Sequence, residues 1–166
     1  IQNYLKEYTH YIESEQNSEF VDSLFQEEEA NGTEYKIILE ISIRHYKCSR
    51  EILFSSKNTL EEVHLMIQKA FEFGDDHLYA FYLGQGCLRK CYYMDEATTN
   101  VNELFAKDFK LGDLHLHEGS QFEYLFDFGD CWWFDIRVKR YSEGHQKNPE
   151  IIVIKGEAPL QYPEVH

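Results

Sequence analysis

The stretch FEYLFDFGDCWWFDIRV, residues 122–138, decides the fold. Aromatic and aliphatic side chains straddle Gly129-Asp130, a dipeptide suited to a tight turn, so the stretch predicts a β-hairpin with an exposed turn and largely buried strands. Trp132 and Trp133 are adjacent and therefore lie on opposite faces of the second strand. One of them faces the main core. The other is either packed internally, against the N-terminal segment for example, or forms a partner surface for a second protein or a second copy of the chain. Aromatic residues make up 16% of the sequence, which keeps both outcomes open. Arg137, Lys139 and Arg140 read as a solvated strand end.

Upstream, the hydrophobic period is 2 from Tyr35: Tyr35, Ile37, Leu39, Ile41 and Ile43 point one way, and Lys36, Glu40, Ser42 and Arg44 the other. A polar turn over residues 45–49 allows residues 51–54 to return antiparallel. Thr59-Leu60-Glu61-Glu62 then forms a capping box before a helix that buries Val63, Met66, Ile67, Ala70 and Phe71. The run HLYAFYL, residues 77–83, is apolar on both faces, which predicts a central strand. Residues 87–94 predict a further strand, residues 95–102 a polar loop, and Leu104, Phe105, Leu111 and Leu114 satellite contacts. The order β-β-α-β followed by more strands predicts an α+β fold: a mixed sheet, one main helix, a β-grasp-like start and the C-terminal aromatic hairpin.

Residues 1–32 differ in character. Ile1, Tyr4, Leu5, Tyr8 and Ile12 recur at helical spacing, and Phe20, Val21, Leu24 and Phe25 form a second stripe that ends at Glu27, Glu28, Glu29 and Asn31-Gly32. Two short helices are predicted, so the chain divides into an acidic helical segment, 1–32, and an α+β domain, 33–166.

At 166 residues and 43% hydrophobic the chain holds one full core. The net charge of −14 repels phosphate backbones and disfavours nucleic acid as a direct partner. No window reaches the roughly 18 apolar residues of a membrane helix, and no basic stretch followed by an apolar one opens the chain. Four cysteines, Cys48, Cys87, Cys91 and Cys131, are too scattered for a disulfide framework. A reducing cytoplasm is the expected location.

Among polar residues, His64, Asp75, Asp76, His77, Asp127 and Asp130 are the candidates for one cluster, because the helix bearing His64 packs on the sheet while the others sit at strand ends or turns. Histidine with carboxylates suits metal ligation or acid–base work. The alternative is structural: aspartates bonding their own turns and half-buried histidines bonding carboxylates or backbone. Cys87-x-x-x-Cys91 places both sulfurs on one face of a strand but lacks the second couple of a zinc site, and no cofactor motif is present, so neither metal nor cofactor is expected.

Several pieces together resemble the plasmid pRiA4b ORF-3-like family: Thr59-Leu60-Glu61-Glu62-Val63-His64 with Ile67-Gln68, Asp75-Asp76-His77-Leu78 with Phe81, Tyr124 with Asp127-Phe128-Gly129-Asp130 and Trp132, and Gly156-Glu157-Ala158-Pro159. The resemblance begins near Tyr35 and leaves out residues 1–32. It implies a small α+β protein of plasmids and mobile elements whose biochemical activity is not established, with some members labelled as transposon resolvase-like passengers or tied to tyrosine recombinases. A recombinase clamps the scissile phosphate with arginines and a histidine, and this chain has no His-x-x-Arg run. It departs from the family pattern at Ser49-Arg50-Glu51, at Phe134 and at Leu160-Gln161-Tyr162-Pro163. Three readings follow: a non-enzymatic protein-interaction module, a metal-dependent hydrolase built on the histidine–aspartate cluster, and a mobile-element DNA-processing factor, the last opposed by the charge.

Overall fold

The period-2 run folds as strand β1 (Tyr35–Ile43), and its inward residues Ile37, Leu39 and Ile41 are completely buried. In the computed structural model, which describes residues 32–94 and 104–162, β1 is followed by β2 (Ser49–Ser55), helix α1 (Leu60–Ala70), β3 (Tyr79–Leu83), β4 (Lys90–Tyr93), β5 (Leu104–Phe105), β6 (Gln121–Phe126), β7 (Trp132–Glu143) and β8 (Glu150–Lys155). The strands form one sheet in the order β5-β4-β3-β6-β7-β1-β2-β8. Only β4 and β5 run parallel; the other neighbours are antiparallel.

The β-β-α-β start is present, and β3 is a central strand apolar on both faces, with Tyr79, Ala80 and Phe81 all buried. It does not sit beside β1, since β6 and β7 lie between them. The predicted helices of the N-terminal segment and the loop at 95–102 fall outside the described residues.

The capping box forms as the sequence requires: Thr59 Oγ1 accepts from the Glu62 amide at 3.2 Å, and the Glu62 carboxylate accepts from the Thr59 amide at 3.3 Å. The helix buries Leu60, Val63, His64, Ile67 and Gln68 against one face of the sheet. Aromatic rings fill the space beneath it, with Phe81 and Tyr124 at 4.8 Å between centroids and Phe71 and Tyr124 each at 5.2 Å from Phe134.

Two local expectations are corrected. The hairpin turn is a five-residue loop, 127–131, rather than a tight Gly129-Asp130 turn. Its left-handed residues are Asp127 and Cys131, and the Cys131 amide closes the loop on the Asp127 carbonyl at 2.6 Å. Gly129 is suited to the loop because Asp127 Oδ1 would lie 3.3 Å from any Cβ there. Cys87 and Cys91 do not share a strand face, because Cys87 lies in a 3-10 turn, Gly86–Leu88, and only Cys91 belongs to β4.

Arg50 organises the far end of the helix. It is 5% exposed, and its guanidinium lies 4.9 Å from the Phe71 ring. Nε donates to the Ala70 carbonyl at 3.1 Å, at the C-terminal end of α1, while Nη1 donates to the carbonyls of Ser49, Lys155 and Gly156 at 2.8, 3.2 and 3.0 Å. A cation suits the negative end of the helix dipole, and the four carbonyls supply the partners a buried charge needs. Arg50→Ala removes the bonds joining β2, α1 and the end of β8, at about 3 kcal/mol. A drop of roughly 6–12 °C in Tm is expected by differential scanning calorimetry, and an unchanged Tm would contradict this role.

Candidate functional site

Helix α1 points His64 and Gln68, four residues apart, at the sheet, where Tyr124 of β6 meets both. His64 Nδ1 and the Tyr124 hydroxyl are 2.5 Å apart, Gln68 Nε2 donates to the same hydroxyl at 2.9 Å, and His64 Nε2 is 2.7 Å from Asp75 Oδ1. The imidazole lies flat on Tyr79, with centroids 3.6 Å apart and planes 7° from parallel.

The proton positions follow from donor chemistry. The Asp75 carboxylate only accepts, so His64 carries its proton on Nε2. Burial holds the imidazole pKa below its ordinary value, partly countered by Asp75, which keeps the ring neutral and leaves Nδ1 to accept from Tyr124. Burial raises the Tyr124 pKa well above that of an exposed phenol, so the hydroxyl keeps its proton. The chain Gln68→Tyr124→His64→Asp75 thus runs in one direction. Tyr124 is fully buried and His64 is 1% exposed, so Asp75 is the end that meets solvent.

A second group sits beside it. His77 Nε2 is 3.6 Å from Asp76 Oδ1 and 3.4 Å from Asp127 Oδ2. Tyr162 bonds to His77 and donates to Asp76 Oδ2 at 2.7 Å. That bond lowers the Asp76 pKa and pushes Tyr162 up to about 12. Gln161 pins the same tail through the Gly74 amide at 2.6 Å and Asp76 at 3.1 Å. Asp127 spends its Oδ1 on the Gly129 and Asp130 amides. Asp130 contributes a backbone donor and a negative charge felt by Tyr162.

Five of the six candidates therefore gather at one end of the sheet as two groups, His64–Asp75 and His77–Asp76–Asp127, with the His64 and His77 rings 6.0 and 5.9 Å from Phe126, while Asp130 stays on the adjoining loop. Among the described residues no group of three or more histidine, cysteine or acidic side chains could hold a metal ion. Tyr124, Gln68, Tyr79 and Tyr162 complete these groups without any polar pattern in the sequence to mark them as members.

The tryptophans take opposite faces. Trp132 turns to the helix side, 5.0 Å from Phe73 and 5.8 Å from Tyr46. Trp133 turns to the other face, which no helix covers among the described residues. There it packs 5.5 Å from Tyr82, beneath the Arg44 guanidinium at 5.1 Å. Arg89 sits 4.6 Å over Tyr82, and Glu123 joins the two arginines, at 2.6 Å to Arg44 and 3.2 Å to Arg89. Asp135 fixes Arg44 with a second pair of bonds, at 3.3 and 2.6 Å. Burial pushes the Tyr82 phenol up to about 12. This Arg–Tyr–Trp–Arg stack borders a groove of about 420 Å³ lined by residues including Glu40, Ser42, Gln85, Gln121 and Arg137.

Among the described residues, an eight-stranded, mostly antiparallel sheet with one covering helix defines an α+β class of protein. The family model for plasmid pRiA4b ORF-3-like proteins matches residues 33–162, and the chain belongs to that family. It is similar to the crystal structure of a protein of unknown function, MM3350, from Methanosarcina mazei Go1. The two share 22% identity and a TM-score of 0.66, over 76% of this chain and 72% of that one. That likeness extends to the fold. No curated protein matches the chain. No helix among the described residues is long and apolar enough to cross a membrane.

The buried imidazole makes stability depend on pH in a defined direction. The folded pKa of His64 lies below the ordinary imidazole value of 6.5, so between the two the unfolded chain binds a proton that the folded chain does not. Its contribution is fully present above pH 6.5 and is lost as pH falls through the folded value. Thermal melts from pH 7.5 to 5 should show Tm falling, with a shallower slope in His64→Gln. Equal slopes would contradict the assignment.

Proposed function

We propose that this chain is a non-enzymatic protein-interaction module that engages its partner through the uncovered face of the sheet. The observation that carries this reading is the stack of Arg89, Tyr82, Trp133 and Arg44. Tryptophan, tyrosine and arginine dominate binding hot spots, and here they are held in place before any partner arrives. Pre-organisation lowers the ordering cost of association. The overall charge of −14 favours a basic protein, steering its approach, and carboxylates outnumber arginines along the groove. The plasmid in the family's name supports seeking that partner among proteins encoded by plasmids and mobile elements.

The second reading, a histidine–aspartate enzyme, has the His64–Asp75 pair in its favour. Against it, both ring nitrogens of His64 are already engaged and Tyr124 is buried, so neither is presented to a substrate. A direct role on nucleic acid conflicts with the charge.

The test uses the full chain as bait, followed by reconstitution with the purified partner it retains. Trp133→Ala should raise Kd roughly thirtyfold, the equivalent of about 2 kcal/mol, with a cooperative melting transition retained. Leu65→Ala, on the exposed side of the helix, should leave Kd unchanged. Equal affinity for wild type and Trp133→Ala would refute the assignment of this face.

A further inference from the structure

Strand β8 ends one side of the sheet with the sequence Glu-Ile-Ile-Val-Ile-Lys, and no strand lies beyond it among the described residues. Edge strands present unpaired amides and carbonyls, and proteins usually blunt them with charges along their length, with proline or with bulges. Here charge occurs only at the two ends, and the four residues between are β-branched and apolar. Ile152 is 41% exposed and Ile154 67% exposed.

The register of β8 against β2 makes this edge self-complementary. Glu150 faces Leu53 and Lys155 faces Ser49, while Ile151 faces Ile52 and Ile154 faces Arg50. Ile52 and Arg50 belong to the buried, helix-side set of β2; Ser49 and Leu53 belong to the alternate, open-face set. Strict alternation would place residues 150 and 155, five apart, on opposite faces. The bulge at Ile152, where Glu51 pairs with Val153 and Ile52 with Ile151, resets the count by one. Glu150 and Lys155 therefore share the open face, and Ile151 and Ile154 share the helix face. A second β8 laid antiparallel, with Glu150 opposite Lys155 and Ile151 opposite Ile154, meets like faces at those four positions. It also closes an ion pair at each end. Within the chain, neither Glu150 nor Lys155 has an ion-pair partner among the described residues.

We propose that β8 is a self-association edge, through which two copies of the chain join antiparallel about a two-fold axis into one continuous sheet. The pairing uses the strand edge and leaves the Trp133 face free, so it stands or falls independently of the proposed function. The terminal ion pairs set the register, and the exposed isoleucines supply the apolar contact between copies.

Sedimentation equilibrium of the full chain, from micromolar to millimolar at physiological salt, tests it. The wild-type mass should rise from 19.8 kDa to twice that value. Lys155→Glu sets glutamates opposite each other, and Glu150→Lys does the same with lysines; each should remain a monomer with an unchanged melting curve. The double variant E150K/K155E should regain the dimer, and mixing the two single variants should yield a heterodimer of the same mass. A wild type monomeric at every concentration would overturn the proposal. So would a dimer indifferent to the swaps, or a folded double variant that stays monomeric.

Discussion

Among the described residues one helix must close a sheet eight strands wide, and the rest of that fold is arranged around the mismatch. Eleven helical residues span about 16 Å, whereas eight strands side by side span about 34 Å. The area the helix leaves is filled by large side chains on the strands themselves, which is why Tyr79, Phe81, Tyr124, Phe126 and Phe134 are all buried on one face. Short 3-10 turns near the helix add Ala106 and Leu111 to the same core. The helix is secured at two places. Arg50 holds its C-terminal end to β2 and to the end of β8, and His64 with Gln68 bonds its middle to β6 through a single tyrosine hydroxyl.

The polar groups at that end of the sheet bond largely to one another. Asp75 and Asp76 leave the helix and immediately bind His64 and the C-terminal tail, respectively. His64, His77, Asp75, Asp76 and Asp127 are each turned toward another side chain or toward their own loop. The opposite face has a different character. Its aromatic and cationic residues pack on one another, no helix covers them among the described residues, and they border a groove.

Much of this architecture was legible where the signal is local. Alternation in residues 35–43, the capping box at Thr59 and the apolar runs flanking the hairpin each dictate their element by short-range physics. The hairpin turn was misread because its left-handed residues are Asp127 and Cys131, which glycine-based turn rules do not flag. Strand β8 carries no mark of its own in the sequence, since four consecutive β-branched residues show no period of 2. Strand order was hidden as well: β7 lies between β6 and β1, a pairing across almost a hundred residues that no local pattern encodes. The histidines and aspartates were legible as residue types and not as pairs, because Tyr124 and Gln68, which complete the chain, read as ordinary core and helix residues. The Arg44 stack draws on widely separated parts of the sequence and carries no motif.

We propose that His64 is a fixed structural link and that the working surface lies on the other side of the sheet. Nitrogen-15 magnetic resonance of the His64 imidazole tests it most directly. The account predicts one neutral tautomer, protonated at Nε2 and accepting at Nδ1, that persists as the pH falls below 6.5. A ring that exchanges between tautomers, or takes up a proton at the value of an exposed histidine, would contradict it and return the histidine–aspartate cluster to the position of a reactive site.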